Sequence, residues 1–355
     1  MTPYLFLFTL SFFIGIFNTK KESKTGILLL MFLLFFYAAF RDFSVGGDTL
    51  NYVNYFLNPR MGYGEDEREF ELFFQYWNII LAKIIPNGHF FIFINALVTF
   101  SCLYFIIKKE SLQKIPCLLL ILSGTLWNFY LSGIRQSLAI SFFILSFYFF
   151  TKKKWIAFIS FTVLSILTHT TVLLAYCIIF IVPFINIKKR QACILIGITS
   201  ILAITNTFPI DNILNYFFSK LSSFQYINRY SGYQDQLNEI NSLYIMAKKI
   251  LPLSFITFYL ILKQKKNEII NKLYIKIAII YTIIYNLLIS SLYVDRILLY
   301  IFPFYCIGIS NLLFYQKVNS KVWIIFYSCI AAQLWILYMN LSNIKYMNNF
   351  TFYFQ

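Results

Sequence analysis

Apolar runs separated by clusters of lysine fill this chain and leave a water-soluble fold little room. Lysine gathers in the gaps as Lys20-Lys21-Lys24, Lys108-Lys109-Lys114, Lys152-Lys153-Lys154, Lys188-Lys189 with Arg190, Lys263-Lys265-Lys266, and Lys317 with Lys321. Runs approaching ~18 apolar residues are what a helix needs to cross a bilayer. With 59% hydrophobic and 12% charged residues, a chain of 355 has too little polar surface to wrap a soluble core. The expected class is an all-α, polytopic integral membrane protein, with residues 1–355 forming one transmembrane domain. Positive residues beside apolar segments are retained on the cytoplasmic side, so the lysine clusters mark inner loops. The net charge of +16 would otherwise suit nucleic acid. Here it sits beside the membrane, where it meets anionic lipid, and nucleic acid is not an expected partner. The six cysteines lie inside apolar runs without a CxxC pair. They read as small apolar residues, not as a disulfide or metal framework.

The apolar segments run over 1–17, 25–40, 90–107, 115–131, 137–150, 155–169, 171–186, 191–207, 249–262, 273–291, 297–314 and 322–340. The first lacks a basic leader and a small-residue cleavage site, so it reads as a retained helix. Placing the lysine clusters inside puts both termini outside and demands an odd number of crossings between Arg41 and Lys108. The stretch Leu72 to Pro86 carries Gln75 and Lys83 and ends in Pro-Asn-Gly, so it reads as a re-entrant or interfacial helix. The architecture expected is about 11–13 transmembrane helices plus that one. Lys248-Lys249, at the outer end of the ninth segment, runs against the trend.

Arginine is sorted differently. Arg190 joins a lysine cluster, but Arg41, Arg60, Arg68, Arg135, Arg229 and Arg296 fall in the alternate connections. The retention rule treats Lys and Arg alike and does not explain this. A planar fork that grips phosphate or carboxylate with two bonds does, and it points to an outward-facing site for an anionic substrate. Two outer loops are long, about 41–71 and about 208–248. The first holds seven of the 14 acidic residues against three arginines, and the second is rich in aromatics that suit either an interfacial belt or sugar stacking.

Within these connections, Arg41-Asp42-Phe43-Ser44-Val45-Gly46-Gly47-Asp48 places a carboxylate beside a guanidinium at a helix mouth. That suits general-base work on a hydroxyl, and equally a turn in which Asp48 caps a helix while Arg41 pairs with Asp42. Arg135-Gln136 sits near the outer end of a helix, where an ionisable group at membrane depth marks function unless it snorkels to the interface. His169, in Leu167-Thr168-His169-Thr170-Thr171, is one of two histidines. It reads as a base on the arginine side or as a helix-end hydrogen-bonding residue. His89, beside Pro86-Asn87-Gly88, reads as turn chemistry. Arg229-Tyr230 and Asp295-Arg296 complete the set. No Walker loop, zinc motif, nucleophile elbow or DxD motif occurs, so no cofactor or metal is expected.

In this order, Arg41…Gly46-x-Asp48…Tyr52, Glu71-Leu72-Phe73, Arg135-Gln136 with Ser137-Leu138-Ala139, Thr168-His169-Thr170-Thr171, Arg229-Tyr230 and Arg296 near Leu298-Tyr300 resemble the EpsG family of Wzy-type polysaccharide polymerases. The likeness covers about residues 40 to 300. Departures are the doubled glycine before Asp48, Thr170-Thr171 where an aromatic and Ser are common, and Leu72 for a frequent Pro. The resemblance implies a metal-independent glycosyltransferase of GT-C-like architecture on the outer face of the cytoplasmic membrane. It would transfer a polyprenyl-pyrophosphate-linked glycan onto another lipid-linked repeat unit, with a chain-length regulator as partner. It assigns Arg135 with Gln136 and Arg296 to the pyrophosphate, Arg41 and Arg229 with Tyr230 to phosphate or glycan, and Asp48 or His169 to the base. A glycan ligase or other GT-C enzyme would show the same residue types. A flippase would instead place ionisable groups near the bilayer midplane, where this chain is almost wholly apolar.

Overall fold

A computed structural model describes residues 2–18, 22–58, 70–205, 243–288, 292–316, 320–344 and 347–354. Arg60, Arg68, Arg229 and Tyr230 lie outside the described residues, as do the side chains of Lys248, Lys249 and Asp295. Regular structure among the described residues is helical, apart from one isolated antiparallel bridge between Arg41 and Phe352. The helices are α1 (Thr2–Phe17), α2 (Lys24–Ala39), α3 (Thr49–Leu57), α4 (Leu72–Ile84), α5 (Gly88–Glu110), α6 (Lys114–Ser123), α7 (Thr125–Ser132), α8 (Ile134–Thr151), α9 (Trp155–Thr168) and α10 (Val172–Ile181). They continue with α11 (Lys189–Ile204), α12 (Leu243–Lys263), α13 (Asn267–Ile270), α14 (Leu273–Leu288), α15 (Leu292–Tyr315) and α16 (Ser320–Asn343).

By length and composition, four helical stretches among the described residues can cross a membrane: Gly88–Glu110, Ile134–Thr151, Arg296–Tyr315 and Ser320–Asn343. A fifth is formed if the pair α6 and α7, bent by 66°, counts as one span. Among the described residues these four or five are the ones that meet that test, against the 11–13 read from the sequence. The remaining apolar stretches, such as Thr2–Phe17 and Leu273–Leu288, run to 10–17 residues. At 1.5 Å per residue they fall short of the ~30 Å hydrocarbon layer. The stretch 115–131 is likewise not one helix, because it breaks at Ser123-Gly124, a pair that commonly kinks helices.

Two compact units emerge, Met1–Tyr176 with Ile330–Gln355, and Cys177–Cys329. In the first, lysine-bearing turns meet at one end. Glu22, between α1 and α2, accepts the Ile115 N–H at the start of α6 at 2.7 Å. Glu110, at the end of α5, pairs with Lys152 after α8 at 2.9 Å. The opposite end gathers Arg41, Asp48 and Arg135. Tyr4 and the tail 347–354 are there too, with Asp42 N–H on the Thr351 carbonyl at 3.0 Å and Tyr353 N–H on the Phe40 carbonyl at 3.2 Å. The lysine clusters and these arginines therefore lie at opposite ends of this unit, while Lys83 near the start of α5 does not follow the division. Helix α4 begins at Glu71 on that end, and α5 begins on it again, where His89 stacks on Phe43 at 4.0 Å. At 13 residues, with its start and the following turn on one end, α4 is too short to cross a bilayer.

The second unit is held by polar bonds between apolar helices. Asn286 of α14 accepts from Ser254 of α12 at 2.6 Å and donates to Thr199 and Ser200 of α11 at 3.2 and 3.0 Å. In a lipid-facing bundle such bonds supply specificity that apolar contact lacks. Gly308 lets α15 lie against α14, since a Cβ there would fall 2.2 Å from the Tyr274 carbonyl oxygen. Gly308→Val should therefore part the two helices and cost about 1–3 kcal/mol or more, as overpacking does. Gly197→Ala, with nothing within 4 Å of its Cβ, should instead stabilise by about 0.5–1 kcal/mol through helix propensity. Thermal unfolding of the two purified variants in detergent checks this, and shifts of the same sign would contradict it.

Candidate functional site

The site forms where the 41–48 loop, the start of α4, the α7–α8 turn and the α9–α10 turn converge. The loop is pinned against α7. Gly46 adopts φ +94°, and a Cβ there would lie 2.2 Å from the Leu131 carbonyl oxygen. The Thr49 hydroxyl donates to the same carbonyl at 3.0 Å and to that of Val45 at 2.7 Å. The Asp48 N–H donates to the Ser132 hydroxyl at 3.3 Å. Asp48 occupies the N-cap position of α3 without a side-chain capping bond, and its residue is exposed. Capping is thus not what its carboxylate does here.

Three residues beyond Ser132, Arg135 stands in the first turn of α8 rather than between segments. Its guanidinium donates to Glu71 Oε2 at 2.7 Å and lies over the Phe70 ring at 4.7 Å. The other oxygen, Glu71 Oε1, accepts from the Thr170 N–H at 3.2 Å and the Thr170 hydroxyl at 3.4 Å. Beside Thr170, His169 ends α9, 8% exposed, with Nδ1 2.7 Å from the Thr171 hydroxyl. Gln136 is buried next to Arg135. Beneath lies an aromatic floor that includes Tyr52, Phe56, Phe70, Phe74, Phe91 and Phe142. Tyr52 stacks on Phe70 with ring centroids 5.9 Å apart, so the helix after Asp48 and the ring under Arg135 share one platform.

Arg41 departs from the outward arrangement read from sequence. It is 2% exposed, donates to the Ala38 carbonyl, and lines a small internal cavity with Asn95, Thr99 and Ser137. Burial lowers its pKa to about 10, which keeps it charged at neutral pH. It does not pair with Asp42. That carboxylate takes the Ser44 N–H at 2.9 Å, and although burial pushes its pKa up, the Ser44 bonds outweigh this and hold it below its usual value. Arg296 is half-buried on α15 in the other unit.

Glu71 is the member the sequence did not single out for the site. It opens α4 without capping it, and 64 residues separate it from Arg135. In the sequence it appears only in Glu71-Leu72-Phe73, an acidic residue opening an apolar run, with no role attached.

The EpsG family model matches residues 24–354, which is nearly the whole chain. The chain belongs to the EpsG family. Membership makes it a multi-pass membrane protein of polysaccharide-polymerase type, and the helical bundle agrees with that. No curated protein and no solved structure matches it. All of the clustered site residues fall inside the EpsG match.

Proposed function

We propose that this EpsG family member is a GT-C-like, metal-independent glycosyltransferase that lengthens polysaccharide at the outer face of the cytoplasmic membrane. Its donor is a polyprenyl-pyrophosphate-linked glycan, and its acceptor is the non-reducing end of another lipid-linked repeat unit. The observation that carries the proposal is the meeting of an exposed Asp48 carboxylate, the Arg135 guanidinium and the His169 turn at the end of the bundle opposite the lysine clusters. The acceptor oxygen attacks the anomeric carbon, and Asp48 takes its proton. The bond from that carbon to the phosphate oxygen breaks, and polyprenyl pyrophosphate departs with the electron pair. Arg135 neutralises the leaving anion, which is where charge develops. Gln136 is assigned to the phosphate beside Arg135, while the pyrophosphate role of Arg296 and the phosphate or glycan role of Arg229 with Tyr230 rest on the family resemblance alone. His169 stands as second choice for base, because its ring is buried and already engaged with Thr171. Arg41, read from the sequence as a phosphate or glycan ligand, is buried on the Ala38 carbonyl and takes no direct part in this reading. A chain-length regulator is the protein partner expected beside the lipid substrates.

The test is the polysaccharide length profile of cells lacking the gene, complemented by wild type, Arg135→Ala or Asp48→Ala at matched membrane levels. Single repeat units in the deletion, and no ladder from either variant, support the reading. Long chains still attached to the carrier would make ligation the lost step. Lipid-linked units accumulating on the cytoplasmic side would make the protein a transporter.

A further inference from the structure

Glu71 presents a use of a carboxylate that helix formation does not require. It stands at the N-cap position of α4, where a side-chain oxygen would normally accept an N–H of the first turn, yet it makes no such bond. Its two oxygens are instead divided between distant parts of the chain. Oε2 takes the Arg135 guanidinium at 2.7 Å, and Oε1 takes the Thr170 N–H and hydroxyl at 3.2 and 3.4 Å. The group is only 15% exposed and Arg135 22%, so water screens the pair weakly. The Phe70 ring under the guanidinium fixes its plane.

From this geometry we infer that Glu71 is a positioning residue of the transfer site. One carboxylate sets both the direction of the Arg135 fork and the seat of the turn that carries His169. The inference rests on the polymerase reading above. A guanidinium is a planar fork of five N–H donors, so a bond from Glu71 to one of its terminal nitrogens sets the direction in which the fork meets a pyrophosphate. Its negative charge also balances Arg135 when the site is empty, so the guanidinium stays in place between turnovers without a ligand. Glu71 touches no reacting atom, and it acts through Arg135 and the Thr170 turn.

The test uses the full-length protein in proteoliposomes, with lipid-linked oligosaccharide extracted from membranes of the gene-deleted cells as substrate. Wild type, Glu71→Gln, Glu71→Ala, Arg135→Ala and the double Glu71→Ala/Arg135→Ala variant are compared. Glu71→Ala is expected to lower kcat for chain extension by about 10²-fold, the cost of a misplaced group, with KM changed less than kcat. Glu71→Gln, which keeps the shape but only one acceptor oxygen, can meet Arg135 or the Thr170 N–H but not both, and should recover part of that loss. In the double variant the Glu71 change should cost little beyond Arg135→Ala, because the two act as one unit. A fold-supporting role alone would cost the same factor in both backgrounds, and that outcome overturns the inference. So does full activity in Glu71→Ala. If Glu71→Ala fails to accumulate, Glu71→Gln decides, and wild-type kcat in it also counts against the inference. Absence of a ladder from wild-type protein is a different failure, since it sinks the polymerase reading and this inference with it.

Discussion

Arg135→Ala is expected to lower chain extension by about 10²- to 10³-fold, the usual cost of deleting one preorganised donor aimed at developing charge. Two effects compete to explain such a loss. Deleting the guanidinium leaves Glu71 half of its partners, and a stranded carboxylate 15% exposed weakens the fold. The pair is partly open to solvent, however, so that loss should be a fraction of what a fully sealed ion pair would cost. Arg135→Lys separates the two. A lysine ammonium can still meet Glu71, so stability should stay near wild type. It is a point charge without a fork, and it cannot hold Glu71 on one edge and a pyrophosphate on the other. Extension should therefore fall almost as far in the Lys variant as in the Ala variant. Chain-length gels and thermal unfolding of the same preparations check this, and near-normal ladders from Arg135→Lys would reduce Arg135 to a counter-ion for Glu71.

The helices were legible in the sequence because each apolar run is long against its breaks. The run read as 155–169 becomes Trp155–Thr168, and the run read as 322–340 becomes Ser320–Asn343. Helix ends drifted where polar residues extend a helix. Lys108, Lys109 and Glu110 continue α5, since their stems can lie along apolar surface while the charges reach water. The α6–α7 break at Gly124 was missed because hydropathy does not change across it, although Ser123-Gly124 carried the signal. The span count differs between sequence and structure for a related reason, since apolarity shows that a segment avoids water and helix length is a separate property.

The site was legible only in its residue types. Arg135, Asp48 and His169 stood out as polar groups on one side of an apolar chain, and the fold brings their turns together. Glu71 was legible only as part of Glu71-Leu72-Phe73, without a role, because no spacing rule joins residues 71, 135 and 170 until α4, α8 and the α9–α10 turn pack. Arg41 illustrates the converse. Its place in the sequence resembles that of Arg135, yet side-chain burial depends on α5, α7 and α8, and those neighbours enclose it.

Gly46→Ala should be the most damaging small substitution in the first unit. At φ +94° an L-residue with a Cβ is strained by about 1–2 kcal/mol, and Gly alone adopts that backbone at no cost. The second obstacle is harder. The new methyl carbon would sit 2.2 Å from the Leu131 carbonyl oxygen and 2.6 Å from the Thr49 hydroxyl. The hydroxyl can rotate away, but the carbonyl is backbone of α7 and cannot. The loop must therefore lift off α7, breaking the Thr49 bond to Leu131 and the Asp48 N–H bond to Ser132. A displacement near 1 Å would carry the Asp48 carboxylate with it, and misplacement on that scale costs about 10²-fold in rate. Gly47→Ala provides the comparison, because Gly47 is exposed and neighbours the same carboxylate. If loop seating matters as argued, Gly46→Ala loses both thermal stability and chain extension while Gly47→Ala keeps most of each. Equal behaviour of the two variants would mean that the contact with Leu131 does not set where Asp48 stands.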